Sequence, residues 1–266
     1  MRLLTLNCHS WREENQLEKI KILARTIKEM QYDVIALQEV SQHKDSKIKY
    51  DNIREDNYVE ILLEELRKLN ENNYSYIWDF SHMGYDVYEE GLAILTKHKI
   101  IDSKAFYISK DKTIFNYKSR KIVSATIEIN NKEFDFYSCH LGWWHDEDEP
   151  FKNQVDNLIC EINKEKLNFI MGDFNNNAFI RNEGYDYLLS KGLIDTYITA
   201  KSKDTGVTVS GEIDGWSKCK EKKRLDLILM NKELNVDTSN VIFNIDDYIV
   251  SDHFGVEVKL DEMLEV

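Results

Sequence analysis

Asn168-Phe169-Ile170-Met171-Gly172-Asp173-Phe174-Asn175 decides how this chain is read. A short apolar run bounded by turn-forming residues reads as a strand, and this one stops at Gly-Asp-x-Asn. Working outward, the same form recurs. Asn7 ends an apolar run at 2–7, Glu39 ends another at 33–39, and His140 ends Phe136-Tyr137-Ser138-Cys139. Asp226 sits in Arg224-Leu225-Asp226-Leu227-Ile228, and Ser251-Asp252-His253 precedes a last strand at 255–260. Polar groups at strand ends converge on one edge of a layered sheet system, where sites are commonly built.

Between the first two runs, Leu17, Ile20, Leu23, Ala24, Ile27 and Met30 recur at helical spacing. Strand, helix, strand favours parallel pairing. Leu62, Leu66 and Leu69 predict a second helix, and Phe151, Val155, Leu158, Ile159 and Ile162 a third. Further strands are expected at 74–79, 91–96, 122–129, 134–140, 225–230 and 241–245, and a solvated loop at 41–57. More strands than helices, with helices early and midway, indicates an α+β class fold, a layered sandwich of two mixed sheets with helices outside.

The chain has 266 residues and a formal charge of −13, from 35 Lys+Arg against 48 Asp+Glu. That length suits one domain covering 1–266, since one Pro and ten Gly leave no linker-like stretch. A hydrophobic content of 42% with 11% aromatics excludes disorder for the bulk of the chain. No run approaches the roughly 18–20 apolar residues of a membrane span, and Met1–Asn7 lacks the form of a signal peptide. Cys8, Cys139, Cys160 and Cys219 are scattered singly, which suggests neither a zinc site nor a disulfide framework and points to a cytoplasmic setting. The acidic balance counts against a nucleic-acid partner, because phosphate capture needs concentrated positive charge. The run Lys218-Cys219-Lys220-Glu221-Lys222-Lys223-Arg224 is the exception. It reads either as a solvated loop or as a local positive lobe drawing in an anion.

Taken singly, each polar residue has a bland reading as loop, turn or core residue. Taken in this order, they resemble the endonuclease/exonuclease/phosphatase superfamily of metal-dependent phosphoesterases, from Asn7 to His253. The resemblance implies a four-layer α/β/β/α sandwich, two mixed sheets flanked by helices. It also implies Glu39 as a metal ligand with Asp252 and Asn7 supporting, and Asp173 as the group that orients or deprotonates water, helped by Asn175. His253 paired with Asp226, and His140 paired with Glu90, would supply acid–base and phosphate-binding functions. His9 departs from members that carry an Asp two residues after the Asn. Mg2+, with Mn2+ as a substitute, suits such oxygen donors, and phosphate hydrolysis needs a cation to offset charge.

A narrower resemblance concerns the leaving group. Asn7-Cys8-His9-Ser10-Trp11, Gly84-Tyr85-Asp86-x-Tyr88-x-Glu90-Gly91, His140-Leu141-Gly142-Trp143-Trp144 and Glu212-Ile213-Asp214-Gly215-Trp216 look like motifs of the bacterial maltose 6′-phosphate phosphatases. They imply a small-molecule sugar phosphate substrate, such as a disaccharide phosphate made during phosphotransferase-type uptake, and no membrane partner. Trp143, Trp144 and Trp216 would stack a sugar face, Asp214 would accept from hydroxyls, and Arg120 would clamp phosphate. The alternative is a magnesium-dependent nuclease or other phosphodiesterase of the superfamily.

Overall fold

The computed structural model describes residues 1–216 and 220–261. The chain opens with β1 (Arg2–Asn7), α1 (Gln16–Met30) and β2 (Val34–His43), then a small hairpin, β3 (Ile48–Tyr50) and β4 (Ile53–Arg54), and α2 (Tyr58–Lys68). The hairpin β5 (Ser75–Gly84) and β6 (Tyr88–Thr96) follows, and the chain then crosses to the other sheet for a meander of β7 (Lys99–Tyr107), β8 (Lys121–Ile129) and β9 (Lys132–His140). Then come α3 (Phe151–Glu161), β10 (Asn168–Asp173), α4 (Gly184–Ser190), β11 (Ile194–Asp195), α5 (Thr196–Thr199) and β12 (Ser202–Lys203). β13 (Asp226–Met230), β14 (Val236–Ile242) and β15 (Gly255–Leu260) complete the described chain. One sheet has the order β12-β14-β15-β1-β2-β6-β5 and the other β11-β13-β10-β9-β8-β7.

The strand residues alternate between two apolar layers. In β1, Leu4 and Leu6 join the cluster of α1 and α2 side chains, whereas Leu3 faces the second sheet. In β10, Phe169 and Met171 fill the space between the sheets, and Ile170 packs toward α3 and α4 with Leu158 and Leu188. Successive side chains of a strand point to opposite faces, so strands covered on both sides must be apolar throughout. Three cores separate four layers, helices–sheet–sheet–helices. The two mixed sheets flanked by helices are the sandwich that the strand and helix pattern predicts.

Two crossovers set the position of the polar residues. β1 and β2 pair in parallel through α1, and β9 and β10 pair in parallel through α3. Open sheets bind ligands beyond the carboxyl ends of such strands. Register then aligns Asn7 with Gln38, and Asp173 with both His140 and Asp226. Gly172 has φ +149°, and a Cβ there would lie 1.9 Å from the Cys139 carbonyl oxygen, so only glycine lets β9 and β10 close this tightly.

Some expectations are corrected. Residues 41–57 are not one loop: β2 continues to His43, and the β3–β4 hairpin follows it. The segment is tied to the next hairpin, with Arg54 Nε and Nη2 donating to Glu89 at 2.8 and 2.9 Å. β7, α4 and the short strands around residues 194–203 carry no apolar period long enough to see in sequence. β7 is an edge strand held by backbone pairing to β8, and most of its side chains are exposed. The strand expected at 241–245 lies earlier, at Val236–Ile242, and Phe243 follows it in a left-handed conformation at φ +63°. Among the described residues no helix is long and apolar enough to cross a membrane.

Candidate active site

Glu39 does not end β2. It sits within the strand at φ +50°, where pairing with β6 shifts register between Leu37 and Val40. A bulge of this kind re-aims a side chain, and a left-handed non-glycine residue in a strand marks a constrained site. The Ser10 hydroxyl donates to the Glu39 carbonyl at 2.5 Å and accepts from the Ser41 N–H at 2.7 Å, which pins the bulge. Asn7 Nδ2 donates to Glu39 Oε1 at 2.8 Å and to Asp173 Oδ2 at 3.2 Å, joining the two sheets. The Asn7 Oδ1 accepts the His9 N–H at 3.1 Å. In this arrangement Asn7 positions two carboxylates, and its Oδ1 keeps one lone pair beyond the bond to His9.

On the other sheet, Asp173 is buried with its Oδ1 accepting the Asn175 N–H at 2.8 Å. Burial pushes its carboxyl up to about 6, with Asp226 adding repulsion and His253 opposing. His140 Nε2 and His253 Nε2 lie 3.7 and 3.8 Å from Asp173 Oδ2. The two histidines differ in charge. Burial drives His140 well below the usual imidazole range, helped by Arg120 and His82. For His253, burial is outweighed by Asp226 and Asp173, so it stays protonated well above that range. Its Nδ1 donates to Asp226 Oδ2 at 2.9 Å, the pairing the sequence suggests.

The other suggested pairing is corrected. Glu90 faces His82, with Nε2 at 3.3 Å from Oε1, while His140 turns to Asp173 and, at 3.9 Å, to Glu39. The β5–β6 register puts His82 opposite Glu90, so the turn at Gly84-Tyr85-Asp86-Val87 carried the signal that sequence reading missed. Despite burial, His82 and Arg120 hold the Glu90 carboxyl low. Arg120 is 4% exposed, and its Nε is buried with no hydrogen-bond partner among the described residues. Burial pulls its guanidinium down against Glu90, Asp173 and Glu39. An arginine kept in that condition costs stability, which an anion arriving in the cleft would offset.

A cleft of about 690 Å³ gathers Glu39, Glu90, Arg120, His140, Asp173 and His253, with Asn175, Asp252, Trp143 and Asp214 also in its walls. Asp226 stands behind His253 as its anchor. Trp144 and Trp216 line a neighbouring hollow of about 540 Å³, which shares Trp143 and Asn175 with the cleft. Trp144 packs edge-on against Phe151, and Trp216 Nε1 donates to Asn175 Oδ1 at 3.2 Å. The Asn175 amide is taken at its other end too, donating to the Leu141 carbonyl at 2.9 Å. It therefore frames Asp173 through its backbone, while its side-chain amide, with one donor and one acceptor position taken, lines the cleft.

The described part of the basic run divides: Lys220 and Lys222 are exposed, whereas the last two basic residues turn inward. Lys223 is fully buried and donates to the Gly211 carbonyl at 2.8 Å, and Arg224 Nη2 holds the buried Asp195 at 2.7 Å. Lys218 and Cys219 lie outside the described residues.

The donor set fits a hard divalent cation. In Glu39, burial and the neighbouring Glu90 and Asp252 push the carboxyl up to about 8, a repulsion that a cation would relieve. His9, Glu13 and Asp252 offer ligand atoms within 4.8 Å of one another, and His9 Nε2 is buried with no hydrogen-bond partner among the described residues. The sequence reading left the His9 position without a supporting ligand. A His–Glu pair, 2.6 Å from Nδ1 to Oε1, stands there instead.

A pH test follows. Because the folded pKa of Glu39 is raised above its ordinary value of 4.5, its contribution to stability is present below 4.5 and is lost as pH rises toward about 8. Ion binding must displace almost a full proton at pH 6 but only about half of one at pH 8, so magnesium should bind roughly 50-fold tighter at pH 8. The magnesium-induced rise in thermal midpoint should accordingly be larger at pH 8 than at pH 6. Equal rises would remove Glu39 from the cation site.

Residues 4–253 match the Endonuclease/Exonuclease/phosphatase family. No match to a curated protein was found. The structure of an endonuclease/exonuclease/phosphatase family protein from Leptotrichia buccalis is 46% identical, with a TM-score of 0.92 over 98% of this chain and 99% of that one. A mannosyl-6-phosphatase from Bacteroides thetaiotaomicron is 18% identical, with a TM-score of 0.73 over 98% of this chain and 99% of that one. D. rerio TDP2 complexed with single-strand DNA product is 14% identical, with a TM-score of 0.68 over 98% of each chain. The last two share the fold. By its matched residues, its layered sheets and the carboxylates and histidines gathered at their edge, the chain belongs to the endonuclease/exonuclease/phosphatase family, whose members are divalent-metal-dependent hydrolases of phosphoester bonds.

Proposed function

We propose that this chain is a cytoplasmic phosphomonoesterase, working with magnesium or manganese, that hydrolyses a phosphorylated disaccharide such as maltose 6′-phosphate. The observation that carries this reading is Arg120, buried and without a partner at Nε, in the same cleft as Asp173, His140 and His253. A guanidinium fork matches the paired oxygens of a terminal phosphate. A chain at −13 gains little from a nucleic-acid backbone. A mannosyl-6-phosphatase with this fold is in keeping with sugar phosphates as substrates.

Glu39 and Asp252, with His9 and Glu13 beside them, would hold the cation. When bound, it neutralises the phosphate and the oxygen that leaves it. Asp173 accepts a proton from the attacking water, and Asn7 and the Asn175 N–H fix the direction of its carboxylate. His253, kept cationic by Asp226, donates to a phosphate oxygen. Both histidines lie within 3.8 Å of Asp173. They therefore flank the attacking water, on the side away from the departing sugar in an in-line displacement, where cationic His253 offsets charge and neutral His140 offers a hydrogen bond.

A panel of sugar phosphates, para-nitrophenyl phosphate, and single-stranded and duplex DNA, each with magnesium, tests the reading. The disaccharide phosphate is expected to exceed DNA in kcat/KM by at least about 100-fold. Efficient cleavage of duplex DNA at physiological salt would transfer the chain to the nucleases.

A further inference from the structure

We propose that the sugar ring of the substrate is held at the mouth of the cleft by a collar of three exposed aromatic side chains, Tyr85, Phe115 and Tyr117. The inference rests on the phosphomonoesterase reading and names where its leaving group sits. All three rings line the cleft, yet they are 52%, 84% and 59% exposed. Large apolar rings left in water beside a polar pocket mark a ligand surface.

Their positions are built, not incidental. Tyr85 and Asp86, at φ +52° and +58°, form the tight β5–β6 turn. The Tyr85 hydroxyl donates to Asp214 at 2.5 Å, and the Arg12 guanidinium lies 3.7 Å from its ring centroid. Asp214, expected to meet sugar hydroxyls directly, is thus first a brace for Tyr85. Phe115 and Tyr117 stand on a loop that ties itself together. The Phe115 N–H donates to Thr113 Oγ1 at 3.0 Å, Ser119 Oγ donates to the Thr113 carbonyl at 2.7 Å, and the Ile114 carbonyl accepts the Met83 N–H at 2.7 Å. The loop ends at Arg120, so one segment carries the phosphate cation at the floor and the rings at the rim.

The occupant is a carbohydrate ring by its chemistry. Asp86, Asp146 and Asp214 line the same walls and accept hydrogen bonds from hydroxyls, while repelling a second phosphate. Aromatic faces match the apolar face of a pyranose.

Phe115→Ala, Tyr117→Ala and the double variant would be assayed in the full chain on a disaccharide phosphate, on glycerol phosphate, which has no ring, and on nucleoside monophosphates. Exposure of Phe115 makes misfolding an unsuitable explanation, and thermal midpoints check it. In the double variant, the KM for the disaccharide phosphate relative to that for glycerol phosphate should rise about tenfold, with kcat on the disaccharide phosphate changed less than about twofold. An unchanged ratio overturns the collar while leaving the phosphomonoesterase reading standing. A wild-type preference for nucleoside monophosphates that the variants lose would make the ring a base and overturn the carbohydrate assignment. Wild-type protein inactive on every sugar phosphate would sink both readings.

Discussion

Asp173→Asn is expected to lower kcat by about 10³-fold, within the range of a lost general base. The amide has the shape of the carboxylate and keeps its hydrogen bond from the Asn175 N–H, but it cannot take the water's proton. Because burial pushes the Asp173 carboxyl up to about 6, wild-type activity should fall as pH drops through about 6, and that acid limb should be absent from the residual activity of the variant. Magnesium should still raise the thermal midpoint of Asp173→Asn, since Glu39 and Asp252 stand apart from the substitution. A variant with kcat within about threefold of wild type would leave Asp173 with no part in proton transfer.

Arg120→Ala is expected to cost about 10³-fold in kcat/KM, the scale of removing a preorganised donor from a water-poor site. The inhibition constant for inorganic phosphate should rise in parallel, because the same fork holds product. Arg120→Lys keeps the charge and loses the planar pair of donors, so it should recover only part of the loss. Asp173→Asn, by contrast, should leave phosphate inhibition nearly as strong as in wild type. Unchanged phosphate inhibition in Arg120→Ala would confine that arginine to packing beneath Trp143, whose ring centroid is 5.4 Å from its guanidinium.

Sequence alone determined the layers and the edge on which the site lies. Leu3 and Leu4, or Phe169, Ile170 and Met171, are apolar at consecutive positions because their strands are covered on both faces. Asn7, His140 and Asp173 were legible because each ends such a run, and the register of parallel strands then brings them to one edge. The pairing of Asp226 with His253 was implied by resemblance and is present at 2.9 Å.

What the sequence left undetermined depends on contacts between segments far apart in the chain. Glu90 meets His82, not His140, because a hairpin register chooses among several histidines that look alike in composition. Trp144 packs against Phe151 and Trp216 donates to Asn175, partners that their spacing in sequence does not indicate, while both line the hollow beside the cleft. The basic residues Lys223 and Arg224 turn inward to Gly211 and Asp195, which no count of charges reveals. Conversely, Phe115 stays in water although an isolated Phe reads as core. Hydrophobic pattern fixes which face of an element is buried, since burial is a sum over many similar side chains. The pairing of individual polar groups is set by distances of a few ångströms across the sandwich, and only the folded chain supplies them.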